Sequence, residues 1–340
     1  MASERAPVLV VGATGFVGRK LVQELANGGV SVRALVRDPE RARRLLPAGV
    51  RLAPGELLAP ATLRPALAGV SVAYYLAHSM TSVRPGEDFR ARDRIAAEHF
   101  VTIAGEMGLE RIVYVGGLGD DLPGRSAHLA SRQEVGRILE RGPARLTQLR
   151  AALVVGEGGS SFEMLVQLVE RLPLMVCPTW IGTRCQPIDR DDLVRYLVGC
   201  LKESATVGRR FDVGGPEVYR YAELMGIVGD RLGARSRLVV APVLSPHLSA
   251  HWVGLITDVP SDLARDLVEG MRVDVVCRDD RIREILPGPL RSFPVALEAA
   301  LHRRRPRPRR ARQWLARAFA VLPPESGLWD PFRALRRIGA

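Results

Sequence analysis

The sequence contains few of the residues that form disulfide frameworks or metal clusters. Its 340 residues include only four cysteines, and no two of them form a CxxC pair. They are Cys177, Cys185, Cys200 and Cys277. A chain of this length does not need disulfide bonds to stabilise its core, and the cysteine spacing does not match a zinc site. We therefore expect reduced thiols, as in the cytoplasm, and no bound metal.

Long apolar runs are also missing. The first residues, "MASERAP", lead into a short apolar segment without the long apolar stretch of a signal peptide. The most apolar later stretch, "LVVAPVLSPHLSAHWVGLI" (238–256), contains two prolines and two histidines. We expect this stretch to line the core or a pocket rather than to span a membrane.

Lysine is almost absent, so arginine carries nearly all of the positive charge. Lys20 and Lys202 are the only lysines, and the formal net charge is +12. Seven arginines lie in "RRRPRPRRAR" (303–312), and without them the net charge falls to +5. The basic character is therefore mostly a property of the C-terminal tail and not of the whole chain.

The arginine-rich tail leaves three interpretations open. It can be a solvated arm that binds nothing. It can attach the protein peripherally to an anionic membrane surface, such as the inner membrane face, with help from the neighbouring Trp314, Leu315 and Phe319. Nucleic-acid binding is the least favoured of the three, because no recognition module accompanies the arginines.

Short apolar runs alternate with amphipathic stretches through the first half of the chain. The runs have the composition of strands, and the stretches between them have the apolar spacing of helices. The predicted strands are 8–11, 30–37, 50–57, 71–78, 111–119 and 144–158. This alternation is typical of an α/β protein in which a doubly wound parallel sheet is covered by helices on both faces.

Three evenly spaced glycines follow the first predicted strand. In "VVGATGFVGRK" (10–20) they are Gly12, Gly15 and Gly18. Gly12 permits a tight turn, Gly15 leaves the main chain open to a phosphate, and Gly18 lets the next helix pack against the sheet. The helix N-terminus adds free N–H groups and a partial positive charge. Their position between a strand and a helix predicts dinucleotide binding.

The end of the second predicted strand bears on which dinucleotide is bound. It reads Arg37-Asp38, with no acidic residue at the strand tip to hold ribose hydroxyls. Arginine can instead pair with a 2′-phosphate as a planar fork, which favours NADP over NAD and leaves NAD as the alternative. Arg33 and Arg19 are further candidates. A solvated Arg37 beside an Asp38 that caps the next helix is the other interpretation.

Eight stretches carry a resemblance to a known family. They are "VVGATGFVGRKLVQEL", "VRALVRDPERARRL", "AYYLAHSM", "RIVYVGGLGDD", "HLASRQEVG", "LRAALVVGEG", "CQPIDRDDLVRYL" and "FDVGGPEVYRYAELM". Together they resemble the atypical short-chain dehydrogenase/reductase proteins, specifically the NmrA-like and YbjT-like NAD(P)-binding group. The resemblance implies a Rossmann-type fold that binds NAD(P), and it does not include the tail. The change of pattern after Gly158 and the proline-arginine run after His302 divide the chain into an NAD(P)-binding domain at 1–158, a smaller substrate-side region at 159–301 and the basic tail at 302–340.

The same resemblance raises a question about the chemistry. Typical short-chain dehydrogenases use a Tyr-x-x-x-Lys pair on the helix after the fifth strand and a serine at the end of that strand. Here the corresponding pair is His128 and Arg132, and the strand ends in Gly116-Gly117. An arginine does not release its proton but can hold ribose hydroxyls, and a histidine with an ordinary pKa can act as an acid near neutral pH. We therefore predict His128 and Arg132 as the catalytic pair, with a helix-surface histidine beside the cofactor as the alternative for His128.

The glycine motif and the resemblance together predict the cofactor-binding residues. They are Gly12, Thr14, Gly15, Phe16, Val17, Gly18, Arg37, Glu56, Leu76, Ala77, His78, Gly116, Arg132 and Ala151. Arg150 and the loop 156–159 are expected to frame the nicotinamide end, and the segment 186–188 is similar to one that closes over the cofactor. At most one of Tyr74 and Tyr75 can face the pocket, because neighbouring strand residues point to opposite faces. Ser79 beside His78 is a further candidate.

Two functions remain open from the sequence. The first is an NAD(P)H-dependent oxidoreductase that acts on a small hydrophobic molecule, whose pocket is lined by the apolar stretch 238–256. Large apolar side chains expected to contribute to that pocket are Phe162, Met164, Trp180 and Trp252. The second is a non-catalytic NADP(H)-binding redox sensor or an accessory subunit of a membrane or respiratory complex, which the missing Tyr, Lys and Ser favour.

Overall fold

The computed structural model describes residues 6–78, 88–119, 126–172, 174–177, 179–234, 237–240, 257–258 and 261–304. Several predictions fall on other parts of the chain. Ser79, Trp252, the side chain of Trp180, nearly all of the stretch 238–256 and the tail beyond Arg304 lie outside the described residues. The proposed contact between the tail and a membrane surface therefore stays a prediction.

The described chain alternates strands and helices, as the sequence predicts. The strands are β1 (Val8–Val11), β2 (Val32–Val36), β3 (Arg51–Pro54), β4 (Val72–Tyr75), β5 (Arg111–Gly117), β6 (Arg145–Ala151), β7 (Val154–Val155), β8 (Leu174–Cys177), β9 (Arg184–Cys185), β10 (Ile188–Asp189), β11 (Arg210–Val213), β12 (Tyr219–Arg220) and β13 (Arg237–Val240). The helices are α1 (Phe16–Asn27), α2 (Pro39–Leu45), α3 (Leu63–Leu67), α4 (Phe89–Glu106), α5 (Ala127–Glu140), α6 (Ser160–Arg171), α7 (Arg190–Lys202), α8 (Tyr221–Leu232), α9 (Ser261–Gly270), α10 (Arg281–Ile285) and α11 (Phe293–Arg303).

Seven strands form one parallel sheet in the order β11-β6-β5-β4-β1-β2-β3. The chain starts near the middle with β1, moves to one edge through β2 and β3, then returns to build the other side. This reversal is the topology of a doubly wound Rossmann-type fold, and ligands in such folds bind beyond the carboxyl ends of the strands at the switch point. The predicted fold class is confirmed.

Helix starts follow from local capping chemistry. Asp38 accepts a hydrogen bond from the main-chain N–H of Arg41 at 2.9 Å, and Pro39 follows it at the first helical position. Asp189 caps α7 in the same way through the N–H groups of Asp191 and Asp192. The interpretation of Asp38 as the cap of the next helix is therefore confirmed, and Asp189 is a second cap that the sequence analysis did not identify.

The sheet is buried on both faces, and Tyr74 and Tyr75 show the alternation that this requires. The Tyr74 hydroxyl donates to the carbonyl of Leu197 on α7, at 2.8 Å. The Tyr75 ring lies on the opposite face, with its centroid 5.1 Å from that of Phe100 and 6.1 Å from that of Tyr114. Both tyrosines are almost fully buried, so each is primarily a core residue, and only Tyr75 also reaches the groove described below.

A separate apolar cluster lies beyond the sheet and is built mostly from residues after 153. It joins α6, α8, α9 and α11, with Phe162 and Leu297 completely buried in it. The same part of the chain returns to the sheet through β11, which pairs with β6. The predicted boundary at residue 158 stays a prediction.

None of the helices in the described ranges combines the length and the apolar character that crossing a membrane requires.

Candidate functional site

A groove of about 770 Å³ runs along the carboxyl ends of the sheet strands. Its walls come from the segments that follow β1, β2, β3, β4, β5 and β6, and from α6, α8 and α9. Fourteen of the fifteen residues predicted for the cofactor or catalysis line it. They are Gly12, Thr14, Gly15, Phe16, Val17, Arg37, Glu56, Leu76, Ala77, His78, Gly116, His128, Arg132 and Ala151. The sequence therefore identified residues that the fold brings to one place.

The glycine turn has no room for side chains at its two ends. Gly12 has a φ of +84°, which favours glycine, and a Cβ there would lie 2.8 Å from the carbonyl carbon of Leu76. A Cβ on Gly18, the one predicted residue that does not line the groove, would lie 2.1 Å from the Gly12 oxygen. These close contacts hold the start of α1 directly against the end of β1, as the motif predicts.

The N-terminus of α1 is open to the groove. Gly15 is its N-cap residue, is exposed, and contributes no side-chain cap. The first N–H groups of the helix therefore lack a side-chain acceptor, and the helix dipole adds a partial positive charge at the same place. An anionic group such as a diphosphate satisfies both.

Phe16 connects this turn to the glycine-rich loop after β7. A Cβ on Gly156 or on Gly159 would lie 3.0 Å from the Phe16 ring, so the loop packs closely on that ring. The Arg190 guanidinium lies over the same ring, 5.3 Å from its centroid. The loop 156–159 was expected to frame the groove, and its residues Gly158 and Gly159 do line it.

Two arginines line the other end of the groove. Arg37, at the end of β2, is exposed and lines the groove beside Asp38. Arg41 lines the same wall from the first turn of α2 and was not predicted from the sequence. The sequence did allow this prediction. Arg37 and Arg41 are four positions apart around a capped helix start, and residues at that spacing lie on the same side of a helix.

Three cationic or potentially cationic side chains meet at the centre of the groove. They are His78 after β4, and His128 and Arg132 one turn apart on α5. The pKa of His128 is lowered well below its ordinary value, first by burial and then by the charge of Arg132 and by His78. The pKa of His78 is lowered by the same two causes, burial first and Arg132 second. The His78 side chain keeps an exposed face toward the groove, so water offsets part of its desolvation.

These shifts correct the reasoning behind the predicted acid. The expectation that His128 donates a proton near neutral pH assumed an ordinary imidazole pKa. Because burial and Arg132 both disfavour the imidazolium, His128 is neutral at that pH and is a poor proton donor. His128 and Arg132 as a catalytic pair stay a prediction, and the lowered pKa of His128 disfavours the role of acid for it.

The strand end that lacks the family's serine is packed closely around its two glycines. A Cβ on Gly116 would lie 2.6 Å from the side-chain nitrogen of Gln148. A Cβ on Gly117 would lie 2.6 Å from a methyl carbon of Leu129. A serine at either position would therefore require the Gln148 or the Leu129 side chain to shift.

The end of the groove beyond this centre is mostly apolar. Its lining comes from parts of the chain that are far apart in sequence, and the sequence singled out only Met164 among them. The side chains are Leu118, Met164, Leu165, Tyr221, Leu267, Met271 and Val275, with Ser160, Ser161 and Asp266 as polar members. Phe162, which was also expected in the pocket, lies instead in the core with no exposed surface.

Several other candidates lie away from the groove. Arg33 donates to the carbonyls of Ala66 and Ala68 at 2.8 and 2.7 Å, near the end of α3. Arg150 forms a buried ion pair with Asp212 at 2.6 Å. These two expectations were wrong, because both guanidinium groups have structural partners and line no part of the groove.

The segment 186–188 is also structural. Gln186 is buried and donates to the carbonyl of Gly215 at 2.8 Å, and it accepts from the N–H of Cys277 at 3.0 Å. Ile188 belongs to the core beside the sheet. The expectation that this segment closes over the cofactor is not met in the described structure, where it contributes no residue to the groove. Arg19 is exposed at the rim, near Gly158.

The part of the chain that forms most of the groove matches a known family. Residues 12–152 match the family described as NAD(P)H-binding. The chain contains an NAD(P)H-binding domain. The predicted nicotinamide dinucleotide cofactor is confirmed at this level, as NAD(P)H, and so is the resemblance to the atypical short-chain dehydrogenase/reductase proteins.

Relatives of this NAD(P)H-binding chain include reductases and a subunit of a respiratory complex. An NAD(P)H azoreductase of Xenophilus azovorans is 27% identical over 235 residues, which are 68% of this chain and 76% of that protein. The mitochondrial NADH dehydrogenase [ubiquinone] 1 alpha subcomplex subunit 9 of Arabidopsis thaliana is 25% identical over 309 residues, or 84% of this chain and 75% of that protein. The chain is therefore similar to an NAD(P)H-binding, reductase-type group, as predicted.

A solved structure supports the fold. The NADPH-dependent quinone oxidoreductase of Escherichia coli, complexed with NADPH, superposes with a TM-score of 0.67. The superposition covers 87% of this chain and 99% of that chain at 17% identity. The two proteins share the Rossmann-type architecture of the NAD(P)H-binding domain.

The pair of arginines at the end of β2 leads to a prediction about the choice between NADPH and NADH. We expect Arg37→Ala and Arg41→Ala each to weaken NADPH binding about 10- to 100-fold, because a charge-assisted hydrogen bond contributes about 1.5–3 kcal/mol. NADH, which lacks the 2′-phosphate, should bind the variants and the wild type within about 2-fold. Fluorescence titration with both nucleotides measures the difference.

Arg43→Ala is the matched control for this prediction. Arg43 lies on α2 like Arg41, pairs with Glu40 and does not line the groove. The Arg43→Ala variant removes one positive charge from the same helix without changing the groove, so its affinity for NADPH should equal that of the wild type. Equal losses for NADPH and NADH in the Arg37 and Arg41 variants would show that the arginines do not recognise a 2′-phosphate.

Proposed function

We propose that the protein is an NAD(P)H-dependent reductase that transfers a hydride to a hydrophobic, conjugated small molecule. The observation that carries the proposal is that one groove is lined both by an uncapped helix N-terminus at a glycine turn and by a set of apolar side chains. A cofactor and an apolar substrate can therefore meet at its centre. The azoreductase relative and the quinone oxidoreductase with the same fold support this class of acceptor.

The residues at the glycine turn fit a dinucleotide. Side chains at Gly12 and Gly18 would fill space that the main chain occupies, and Gly15 leaves the helix N-terminus uncovered. We assign the diphosphate to this turn and the adenosine phosphate to Arg37 and Arg41. The nicotinamide dinucleotide, when bound, supplies the hydride, which carries two electrons.

The protein's own groups then position the substrate and exclude water. Met164 and Met271 are unbranched and polarizable, so they adapt to flat aromatic substrates of different outline. Tyr221, buried beside them, adds an aromatic surface. His128, as a neutral imidazole, can hydrogen-bond the substrate or the ribose, while the proton that completes the reduction comes from water.

Turnover of a substrate panel tests this function. The full-length protein is mixed with NADPH and with naphthoquinones, azo dyes and simple alkyl ketones, and NADPH oxidation is followed by absorbance. We expect measurable turnover with at least one quinone or azo compound. The Gly15→Asp variant, whose loss of binding is argued in the Discussion, gives the background rate. A rate equal to that background for every compound would contradict the proposal.

A non-catalytic role in a respiratory or membrane complex is the second candidate. It is favoured by the relative that is a subunit of mitochondrial NADH dehydrogenase and matches across 84% of this chain. The missing Tyr, Lys and Ser point the same way. If NADPH binds but no compound in the panel is reduced, and if native electrophoresis of host membranes shows the protein in a defined respiratory complex, this second function is supported over the first.

A further inference from the structure

Arg132 places a guanidinium in the groove, and it has no ion-pair partner among the described residues. It lies on α5 and lines the groove beside His128. The Arg132 carbonyl accepts a hydrogen bond from the Tyr114 hydroxyl at 2.9 Å, which fixes the main chain at this point. Across the part of the chain that the structure describes, no carboxylate forms an ion pair with Arg132. A half-buried cation in this position attracts an anion from outside the protein.

The groups around Arg132 do not neutralise it. His78 and His128 face it from the end of β4 and from its own helix, and both are neutral near pH 7 for the reasons given above. Tyr75, on β4, is also influenced by Arg132, and burial keeps its hydroxyl protonated by raising its pKa. Asp93 on α4 also lines the groove, where it accepts a hydrogen bond from Ser131 at 3.3 Å and contributes to the raised pKa of Tyr75, but among the described residues it forms no ion pair with Arg132.

The position of this charge matters for the reaction. Arg132 lines the same groove as the glycine turn and as the apolar side chains of Met164, Leu267 and Met271. A substrate bound against these side chains therefore meets Arg132 at the place where the hydride arrives. Electrostatic stabilisation is most effective when a fixed charge faces the atom on which charge develops.

We propose that Arg132 stabilises a substrate oxygen as that oxygen becomes anionic, so that the protein reduces acceptors whose reduced forms are stable oxyanions. Such acceptors are quinones and related conjugated carbonyl compounds, and simple ketones and aldehydes are excluded. This inference rests on the proposed function, and it adds the substrate class and the group that selects it.

The charge left on oxygen after hydride transfer explains why quinones are accepted and simple ketones are not. A quinone that gains a hydride becomes a hydroquinone monoanion, because the two electrons of the hydride leave one negative charge on oxygen. That oxygen is a phenolate, whose conjugate acid resembles tyrosine with a pKa of about 10. A simple ketone would become an alkoxide, whose conjugate acid is nearly as weak as water, about 15.7. The phenolate can wait for a proton from water, whereas the alkoxide needs an acid during the transfer.

The described groove offers no readily ionised acid for this step, because burial raises the pKa of both Tyr75 and Tyr221, and Tyr221 is also hydrogen-bonded to Cys185. Glycine stands at positions 116 and 117 in place of a serine, and the neutral imidazole of His128 is itself too weak an acid. A guanidinium such as that of Arg132 can act only through its charge and hydrogen bonds. The alternative role for Arg132 is the one that its sequence position implies, namely holding the ribose hydroxyls of the cofactor.

Ionisation of a bound phenol separates these two roles without any turnover. The probe is 4-nitrophenol, added to the full-length protein saturated with NADP⁺, and the phenolate is read from its visible absorbance as a function of pH. In the wild type we expect the apparent pKa of the bound phenol to fall by at least one unit, which is a 10-fold preference for the anion. Arg132→Gln should remove this shift, and Arg132→Lys should restore part of it.

Arg137→Gln is the matched control. Arg137 lies on the same helix, is exposed and does not line the groove, so the same substitution there should leave the shift unchanged. Thermal unfolding of both glutamine variants shows whether either one disturbs the fold. If Arg132→Gln unfolds, the comparison of wild type with Arg132→Lys provides the test.

Each other outcome contradicts the inference in a recognisable way. The inference is overturned if the apparent pKa of 4-nitrophenol does not fall on binding to the wild type, or if 4-nitrophenol does not bind at all. A shift that survives in Arg132→Gln also overturns it. If Arg132→Gln loses affinity for NADP⁺ but the apparent pKa of the bound phenol does not change, Arg132 holds the cofactor ribose and not the substrate oxygen. In all of these cases quinone reduction by the wild type would leave the proposed function intact, whereas its absence would reject that function separately.

Discussion

In the Gly15→Asp variant we expect NADPH binding to weaken on the order of 1,000-fold while the fold stays intact. Gly15 is exposed and caps α1 with φ −77° and ψ 178°, a conformation that any residue adopts. Aspartate is a favoured N-cap residue, so the helix itself should not be weakened. Its carboxylate would lie where we assign the diphosphate. Like charges at about 4 Å repel by roughly 4 kcal/mol at an effective dielectric constant of about 20, which is about a 1,000-fold change.

Gly15→Asn isolates the charge in this experiment. A Cβ at position 15 would lie 3.1 Å from the Gly12 oxygen, so both variants share the same steric cost. Asparagine is equally good as an N-cap but is neutral. Calorimetric titration of the two variants should therefore show a much larger loss for aspartate. Equal affinities for NADPH in the two variants would mean that no phosphate lies against this turn.

In the Arg150→Met variant we expect the free energy of unfolding to fall by about 3–5 kcal/mol, without a change in NADPH affinity beyond about 2-fold. Arg150 pairs with Asp212 across β6 and β11, and the Asp212 side chain is only 1% exposed. Removing one partner leaves a buried carboxylate without its cation, and such losses cost about 3–5 kcal/mol. Urea denaturation followed by circular dichroism measures the change.

The double variant Arg150→Met/Asp212→Asn tests the cause. Asparagine removes the buried charge but keeps an oxygen that can accept from the N–H of Arg278, which bonds to Asp212 at 2.9 Å. We expect it to recover at least half of the lost stability. If instead Arg150→Met is stable and binds NADPH poorly, Arg150 belongs to the nicotinamide end, as the sequence first suggested.

The fold was predictable because its determinants are local. The apolar runs of β1 to β6 and the glycine turn before α1 are each contained in a few consecutive residues. Arg33 shows where this fails. Its partners are carbonyls near the end of α3, a five-residue helix that contains Pro65 and is too short to produce a helical pattern in the sequence. Without that helix, an arginine on β2 looked available for a ligand.

The candidate site was predictable in the parts that lie at strand ends and less so elsewhere. Thirteen of the fourteen predicted cofactor residues line the groove because parallel strands bring their carboxyl ends to one edge. The pKa of His128 could not be foreseen, because it depends on burial and on His78, which is distant in sequence. The apolar end was missed for the same reason, since Met164, Tyr221 and Met271 meet only through tertiary packing.

Calorimetric titration of the wild-type chain with NADPH tests the central claim most directly. We expect one nucleotide to bind per folded chain, with an affinity in the micromolar range that is typical of enzyme ligands, and NADP⁺ to compete for the same site. Well-folded protein that takes up neither NADPH nor NADH would contradict the assignment of the groove, and with it the proposed reduction and the role of Arg132.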